Sequence, residues 1–281
     1  MKTCIKNICC KRKNEVVNMK FGMPTLIEIY DLEESAKLCK ELGLDFIELN
    51  MTFPQYQIAQ MENIEYLQEI ADKYGIFYTI HLDETMDVCN FNPLVANAYM
   101  ETLQRTIEVA KKLQIPSLNM HMLNGIYVTL PDRKVCMYQE YIDTYMEGIR
   151  ALRTMAEKLI GDADVKINIE NTDGYLPFHK QAIEYLMESP VFGLTWDIGH
   201  SHALKDIDEP FMMSLHENLN HFHVHDGYGT KNHQTLGTGD IDLHQRLGVA
   251  KEHNCRCVLE TKTVEALKQS VVWLKENNYF M

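Results

Sequence analysis

The 281-residue sequence lacks any apolar run of the roughly 18 residues that a membrane-spanning helix needs, which excludes an integral membrane protein. Cysteine is sparse: the eight cysteines form no Cys-x-x-Cys pair and are too few for a disulfide scaffold, so we expect reduced thiols and a cytoplasmic location. Basic residues are also scarce, with 27 Lys and Arg against 40 Asp and Glu and a net charge of −13. Such a charge repels polyanions at long range and makes nucleic acid an unlikely partner.

Residues 1–18 differ from the rest of the chain, because they carry a net charge of +4 while the remaining 263 residues carry −17. The segment has no long apolar stretch, so it does not read as a secretory signal. We interpret it as an appended basic segment that precedes an ordered domain over residues 19–281; a basic arm that binds an anionic partner is the alternative. No linker or low-complexity tract divides the remainder, which predicts one domain.

A helix-then-strand pattern repeats along the chain. The segments 40–50, 72–82, 111–122 and 251–261 each contain a polar helix end, a break, a short apolar run and a polar residue. Runs such as FIEL and CVLE are nearly continuously apolar, as is typical of parallel strands buried on both faces. The pattern predicts eight strands, at 20–25, 44–49, 76–81, 116–121, 165–170, 192–197, 220–225 and 256–260.

Helix signals lie between these strands. Asp31 to Glu34 forms a capping box that opens a helix through Cys39, and apolar spacing predicts long helices over 94–113 and 137–160. Eight βα units in about 250 residues are the size of a TIM barrel. A doubly wound sheet is the competing fold, but no GxGxxG follows any strand. We therefore predict an α/β fold consisting of a single (β/α)8 TIM barrel.

Carboxylates and imidazoles occur where the predicted strands end. They are His81, His121, Glu170, Asp197, His223 and Glu260. In a barrel these ends meet at the C-terminal mouth, where three unpaired carboxylates would repel one another and lose hydration. A divalent cation removes both costs, and mixed His, Asp and Glu ligands suit zinc or manganese. A single strand-end histidine is more often an ordinary hydrogen-bonded residue; the joint occurrence predicts a metal site at the mouth.

Three further residues lie near the predicted mouth. His200 follows shortly after Asp197, and His233 is in the loop after the seventh strand. Glu48, in the second strand, also points near the mouth and is a candidate hydrogen-bonding residue. His223 and His225 share strand parity, and the spacing to Asp226 favours His223 as the ligand.

The motifs that carry these residues are, in chain order, IHL, LNMHM, INIEN, WDIGH, HFHVHD, NHQTLGTGDID and VLET. Together they resemble the xylose isomerase-like TIM-barrel superfamily over about residues 20–275. That superfamily contains sugar and sugar-phosphate isomerases and epimerases, as well as endonuclease IV. The resemblance implies a core metal held by Glu170, Asp197, His223 and Glu260. It also implies that Glu170 and Glu260 exchange the substrate proton.

The resemblance further implies that His81 and His121 could hold a second metal and that His200 lies near the substrate or a further metal. A third zinc in endonuclease IV uses an Asp-x-His pair, which here reads Lys231-Asn232-His233. A lysine repels a cation at that position. We therefore expect one or two divalent ions per chain, Mn²⁺ or Zn²⁺, with Co²⁺ and Mg²⁺ as alternatives.

Three functions compete at this stage. The first is a metal-dependent isomerase or epimerase that moves a proton on a sugar or sugar phosphate through an enediolate, with Lys231 binding a substrate anion. The second is an endonuclease IV-like phosphodiester hydrolase at abasic DNA sites, which the acidic charge and the absence of Lys and Arg from loops 50–62 and 82–93 disfavour. The third is a non-catalytic barrel that binds metal and ligand. Helices at the barrel's rim are compatible with a homo-oligomer.

Overall fold

Eight parallel strands close into a barrel in the computed structural model, which describes residues 19–279. They are β1 (Lys20–Pro24), β2 (Phe46–Asn50), β3 (Phe77–His81), β4 (Ser117–His121), β5 (Lys166–Glu170), β6 (Phe192–Asp197), β7 (Leu219–Val224) and β8 (Arg256–Leu259). Their order around the ring is β1, β8, β7, β6, β5, β4, β3, β2. The predicted (β/α)8 TIM barrel is confirmed, and every predicted strand lies within two residues of an observed one. The expected basic segment at residues 1–18 lies outside the described residues.

Helices surround the ring. They are Leu32–Leu42, Ile58–Met61, Ile64–Tyr74, Pro93–Leu113, Met137–Glu140, Ile142–Ile160, Pro177–Met187, Ile198–Ala203, Glu209–Ser214, Leu243–Glu252 and Val264–Glu276, with 3-10 turns at Pro54–Tyr56 and His216–Asn218. Two antiparallel hairpins lie in the loops after β4 and β7: Tyr127–Thr129 with Lys134–Cys136, and Asp226–Tyr228 with Lys231–Gln234. Within residues 19–279, no helix is long and apolar enough to cross a membrane.

Local chemistry explains where the first helix begins and ends. The Asp31 carboxylate accepts a hydrogen bond from the backbone N–H of Glu34 at 3.1 Å, as the predicted N-terminal cap requires. The helix ends at Gly43, whose φ of +80° is a left-handed conformation that glycine adopts without a Cβ penalty. The helix is three residues longer than its capping signal and apolar spacing predicted.

The predicted single helix over 137–160 is wrong, because the chain leaves helical geometry at Tyr141, with φ −109° and ψ 47°. The short helix before the break is held by Tyr138, whose ring packs edge-on against Phe91 and Phe178. The apolar spacing runs on through the break, so periodicity alone could not reveal it. Tertiary packing outweighs local helix propensity here.

The side chains inside the barrel become more polar from the N-terminal ends of the strands toward the C-terminal ends. Phe46 fills the lower end beside Gly22, where an added Cβ would lie 2.4 Å from the Phe46 ring. Residues two apart on a strand face the same side, so Glu48 follows Phe46 toward the C-terminal end of β2. Thr79 lies opposite Glu48 on β3, and Asn119 lies opposite His81 on β4; both side chains are fully buried. The apolar base therefore supports a polar upper layer directly beneath the mouth.

Candidate active site

Four side chains meet at the C-terminal mouth and form what we term the central cluster: Glu170, Asp197, His223 and Glu260. Their nearest ligand-type atoms all lie within 4.8 Å of one another. His223 Nδ1 is 3.1 Å from Glu170 Oε1, 3.1 Å from Glu260 Oε2 and 3.9 Å from Asp197 Oδ2. The four residues that the family resemblance implied as metal ligands are therefore close enough to share one ion.

The charges of the central cluster favour a cation. Three carboxylates surround a single imidazole, and within residues 19–279 Glu260 Oε2 is shielded from solvent and makes no hydrogen bond beyond its ion-pair contact with His223. Burial alone would lower the pKa of His223, but the carboxylates of Glu170, Glu48 and Glu260 outweigh burial and hold that pKa well above its usual value. One proton on an imidazole balances only part of this charge. The donor set and the unpaired Glu260 oxygen fit a divalent metal ion.

Glu48 supports His223 from below. His223 Nε2 lies 2.8 Å from Glu48 Oε1, so the opposite ring nitrogen, Nδ1, faces the central cluster. The Glu48 carboxylate also accepts hydrogen bonds from Thr79 Oγ1 at 2.8 Å and from His221 Nε2 at 2.9 Å. Burial would raise the pKa of Glu48, but His223 and His221 together hold it below its usual value. A carboxylate behind a ligand-type histidine fixes both the tautomer and the orientation of the ring.

Asp197 is held by His225, which strand parity had left as the alternative to His223. His225 Nε2 lies 3.0 and 3.1 Å from the two Asp197 oxygens. His225 Nδ1 accepts a hydrogen bond from the backbone N–H of His233 at 2.7 Å, so the ring proton is on Nε2 and is donated to Asp197. His225 therefore has no lone pair left for an ion, and its contacts position the Asp197 carboxylate.

Space for the His225 ring depends on Gly199. A Cβ at this position would lie 1.8 Å from His225 Cε1, and the ring is fully buried and hydrogen-bonded on both nitrogens. We expect Gly199→Ala to lower the free energy of unfolding by about 1–3 kcal/mol, the usual cost of overpacking. Urea denaturation measures it. Gly248→Ala is the matched control: no atom of the described residues lies within 4 Å of a Cβ added at this helical glycine, and alanine there should stabilise the protein slightly. Equal stability of the two variants would contradict the packing argument.

Two further predicted residues, His81 and His121, lie against Glu170. Their Nε2 atoms are 3.5 and 3.2 Å from Glu170 Oε2, and the ring centroids are 4.8 Å apart. The Asn119 amide donates to the same oxygen. Burial would lower the pKa of His81, but Glu170 outweighs it and raises that pKa to about 9. His81, Glu170 and His223 form a second group that could hold a metal ion next to the first.

His200 and His233 lie on the other side of Asp197 and form a third group with His225. His200 Nε2 is 3.7 Å from Asp197 Oδ2, and the His200 and His233 ring centroids are 5.4 Å apart. Burial lowers the pKa of His233 to about 4. The neutral ring donates its Nδ1 proton to the Glu260 carbonyl at 3.1 Å, which leaves Nε2 as an acceptor.

A cavity of about 260 Å³ opens beside the central cluster. It is lined by Pro24, Thr25, Leu26, Ile27, Glu48, Asn50, Thr52, Phe53, His81, Glu84, Glu260 and Lys262. Lys262 Nζ donates to Glu260 Oε1 at 2.7 Å. Lys231, the lysine expected to bind a substrate anion, does not line this cavity. It lies on the exposed hairpin after β7, where its ammonium contacts the hydroxyl and ring of Tyr228.

Sequence reasoning missed Asn119 and Lys262, and it named His225 only as an alternative ligand to His223, not as the residue that positions Asp197. Asn119 precedes His121 by two positions and Lys262 follows Glu260 by two, so strand parity gave a signal for both. His225 has the same relation to His223, but the sequence could not show that its two nitrogens are occupied. The contacts that these residues make with the central cluster depend on side-chain conformation, which the spacing of residues along the sequence does not determine.

Comparisons with known proteins identify relatives over most of the chain. The profile of a family described as xylose isomerase-like TIM barrel matches residues 36–277. A structure of a D-tagatose 3-epimerase-like protein superposes with a TM-score of 0.74 at 23% identity, covering 92% of this chain and 96% of that one. A 3-keto-D-glucoside 4-epimerase from E. coli gives a TM-score of 0.72 at 16% identity, with 92% and 99% covered. These structural likenesses show a shared fold.

A third structure, D-psicose 3-epimerase with D-tagatose from Clostridium cellulolyticum H10, gives a TM-score of 0.70 at 15% identity, covering 93% of this chain and 99% of that one. No curated protein sequence matches the chain. The predicted superfamily resemblance is confirmed by the family match, which spans all the strand-end residues and seven of the eight barrel strands, β2 to β8.

Proposed function

Because the chain belongs to the xylose isomerase-like TIM barrel family, we propose that it is a metal-dependent isomerase or epimerase that moves a proton on a sugar. The observation that carries the proposal is the central cluster: two carboxylates, Glu170 and Glu260, each lie 3.1 Å from Nδ1 of the same buried histidine. Structural neighbours described as a D-tagatose 3-epimerase-like protein, an L-ribulose 3-epimerase and a D-psicose 3-epimerase support a sugar as the substrate.

Glu170, Asp197, His223 and Glu260 would hold one divalent ion, Mn²⁺ or Zn²⁺, with Co²⁺ or Mg²⁺ as alternatives. When bound, the ion would supply Lewis-acid polarisation of adjacent sugar oxygens. His81, His121, His200 and His233 are the candidates for a second ion or for substrate contacts. His81 belongs to the second group, His121 lies directly against Glu170, and His200 lies 3.7 Å from Asp197 with the His233 ring beside it.

Glu170 and Glu260 would transfer the proton. β5 and β8 are separated by two strands around the ring, so Glu170 and Glu260 reach the cluster from different sides. One carboxylate would remove the proton beside the sugar carbonyl, and the other would return a proton to the enediolate. Glu48 holds His223 and His225 holds Asp197, so the groups around the reacting carbons are positioned before substrate arrives.

Glu48 provides a test of this support. We expect Glu48→Gln to weaken metal binding by about 10–100-fold, because the amide cannot accept from all three donors that now contact the carboxylate. Competition with a chelating dye measures the affinity. Glu65→Gln is the matched control, since it removes one carboxylate from an exposed helix surface. If both variants bind metal as tightly as the wild type, Glu48 does not orient His223.

Phosphodiester hydrolysis is the second candidate function. It is favoured by the contact of both His81 and His121 with Glu170, because two adjacent ions can activate water and stabilise a leaving oxygen. The acidic cavity, which Glu48, Glu84 and Glu260 line, opposes it. Salt-sensitive cleavage of an abasic DNA duplex by metal-loaded protein, without proton exchange on any ketose, would favour the hydrolase over the epimerase.

A further inference from the structure

We propose that Lys262 contacts the substrate directly and that the cavity selects an uncharged sugar over a phosphorylated one. The proposal rests on the proposed function, because it takes the cavity beside the central cluster as the sugar site. Lys262 was not identified from strand-end spacing. It takes the place of Lys231, which was expected to bind a substrate anion, as the lysine that contacts the substrate.

Lys262 is the only lysine or arginine among the residues that line the cavity. Its side chain is 55% exposed, and its ammonium has three N–H donors. Within the described part of the chain, Glu260 Oε1 is its hydrogen-bond acceptor, at 2.7 Å. The remaining donors are available to an oxygen atom of a molecule in the cavity.

The two carboxylate oxygens of Glu260 contact different residues. Oε2 faces His223 in the central cluster at 3.1 Å, whereas Oε1 accepts from Lys262. A substrate oxygen held by the ammonium of Lys262 would therefore lie next to a carboxylate that we assign to proton transfer. This juxtaposition makes Lys262 a group that orients the reacting end of the sugar.

The charge around Lys262 opposes a phosphate. Its ammonium is paired with Glu260, and Glu84 and Glu48 add two more carboxylates to the lining. Three carboxylates, Glu48, Glu84 and Glu260, line the cavity against one lysine and one histidine, so a dianionic phosphate would meet more carboxylate than cationic side chains. Asn50, Thr52 and Thr25 add neutral hydrogen-bonding groups, and Phe53 and Leu26 add apolar surface. This mixture suits the hydroxyl groups and carbon skeleton of a neutral sugar.

The usual phosphate position of a TIM barrel is also occupied by the protein's own carboxylates. That position uses the loops after the seventh and eighth strands and a helix N-terminus. Here the N-terminal N–H of Val264 donates to Glu28 Oε2 at 2.6 Å, and Asp242 caps the preceding helix by accepting from Gln245 N at 3.0 Å. These two helix N-termini therefore already have an anionic partner.

Lys262→Met and Lys231→Met form a matched pair that tests the assignment. We expect Lys262→Met to raise the KM for the ketose that exchanges fastest among D-fructose, D-tagatose and D-psicose by about tenfold or more, the loss of a charge-assisted hydrogen bond. The effect on KM should exceed the effect on kcat when both are measured at saturating metal. Lys231→Met should leave KM and kcat unchanged.

Equilibrium binding provides a readout that does not need turnover. By calorimetry on metal-loaded protein, we expect D-fructose to bind at least about tenfold more tightly than fructose 6-phosphate, and Glu84→Gln to narrow that ratio. Tighter binding of the phosphate ester, or identical KM values for Lys262→Met and Lys231→Met, would overturn the proposal.

The outcomes separate this proposal from the proposed function. Proton exchange by the wild type with no difference between the two lysine variants rejects the role of Lys262 alone. Lys262-dependent sugar binding without any proton exchange rejects the epimerase function alone. A metal-loaded protein that neither binds nor exchanges any of these sugars contradicts both.

Discussion

Replacing Glu170 with glutamine is expected to slow proton exchange on a ketose by about 10³-fold or more. Positioned general acids and bases typically contribute 10²–10⁴-fold, and Glu170 would also lose the charge that it contributes to the central cluster. Glutamine keeps the volume and one oxygen acceptor, so the buried site should still pack. Glu260→Gln is expected to show a loss of the same order, because proton removal and proton return each need a carboxylate.

Exchange in heavy water, followed by proton NMR, measures this loss with D-fructose, D-tagatose and D-psicose as substrates. Urea denaturation of each variant checks that the barrel remains folded, and Glu65→Gln serves as the exposed control. If both buried variants keep exchange rates within about tenfold of the wild type, Glu170 and Glu260 are not the groups that transfer the proton.

Replacing His223 with alanine is expected to weaken metal binding by at least about 100-fold. His223 is the only imidazole in the central cluster, and it contacts two of its carboxylates at 3.1 Å. Loss of a ligand should exceed the 10–100-fold that loss of an outer partner costs. In the wild type, metal at 100 times its Kd should add about 2.7 kcal/mol to the free energy of unfolding by mass action. His223→Ala at the same metal concentration should show almost no gain.

For each variant, the free energy of unfolding with metal is compared with the value for the same variant without metal. A general loss of stability caused by the buried substitution therefore does not affect the result. His216→Ala is the control, because His216 is exposed on a 3-10 turn outside the central cluster. A metal-induced gain in His223→Ala equal to that of His216→Ala would show that the ion binds elsewhere.

The barrel could be predicted because its strands carry two clear signals. Strands such as β2 and β3 are buried on both faces and contain the nearly continuous apolar runs FIEL and FYTI, and helix caps such as Asp31 mark the intervening segments. The polar residues at the strand ends then converge by topology alone. Glu170 and Asp197 therefore reach one mouth without any information about side-chain conformation.

The alignment of His223 with Asp197 could not be predicted, because it depends on an irregularity in the sheet. The register between β6 and β7 shifts so that Leu194 pairs with Leu219 but Thr195 pairs with His221. Asn220 is the extra residue, and the shift brings His223 opposite Asp197. Without it Phe222 would take that place. No local feature of the sequence announces such a bulge.

The hydrogen bonds that support the central cluster and the lining of the cavity could also not be predicted from the sequence. His225 Nδ1 is hydrogen-bonded because the hairpin after β7 brings the backbone nitrogen of His233 to 2.7 Å from it. Lys231 and Lys262 are both in loops at the mouth, and only the folded chain shows that Lys262 lines the cavity. Loop conformation depends on tertiary contacts, which residue spacing does not encode.

Diffraction from a crystal grown with Zn²⁺, using the anomalous signal of the ion, tests the central claim most directly. We predict a peak at the barrel mouth within about 2.0–2.2 Å of ligand atoms from Glu170, Asp197, His223 and Glu260. A fully occupied peak elsewhere with none among these four side chains would contradict it.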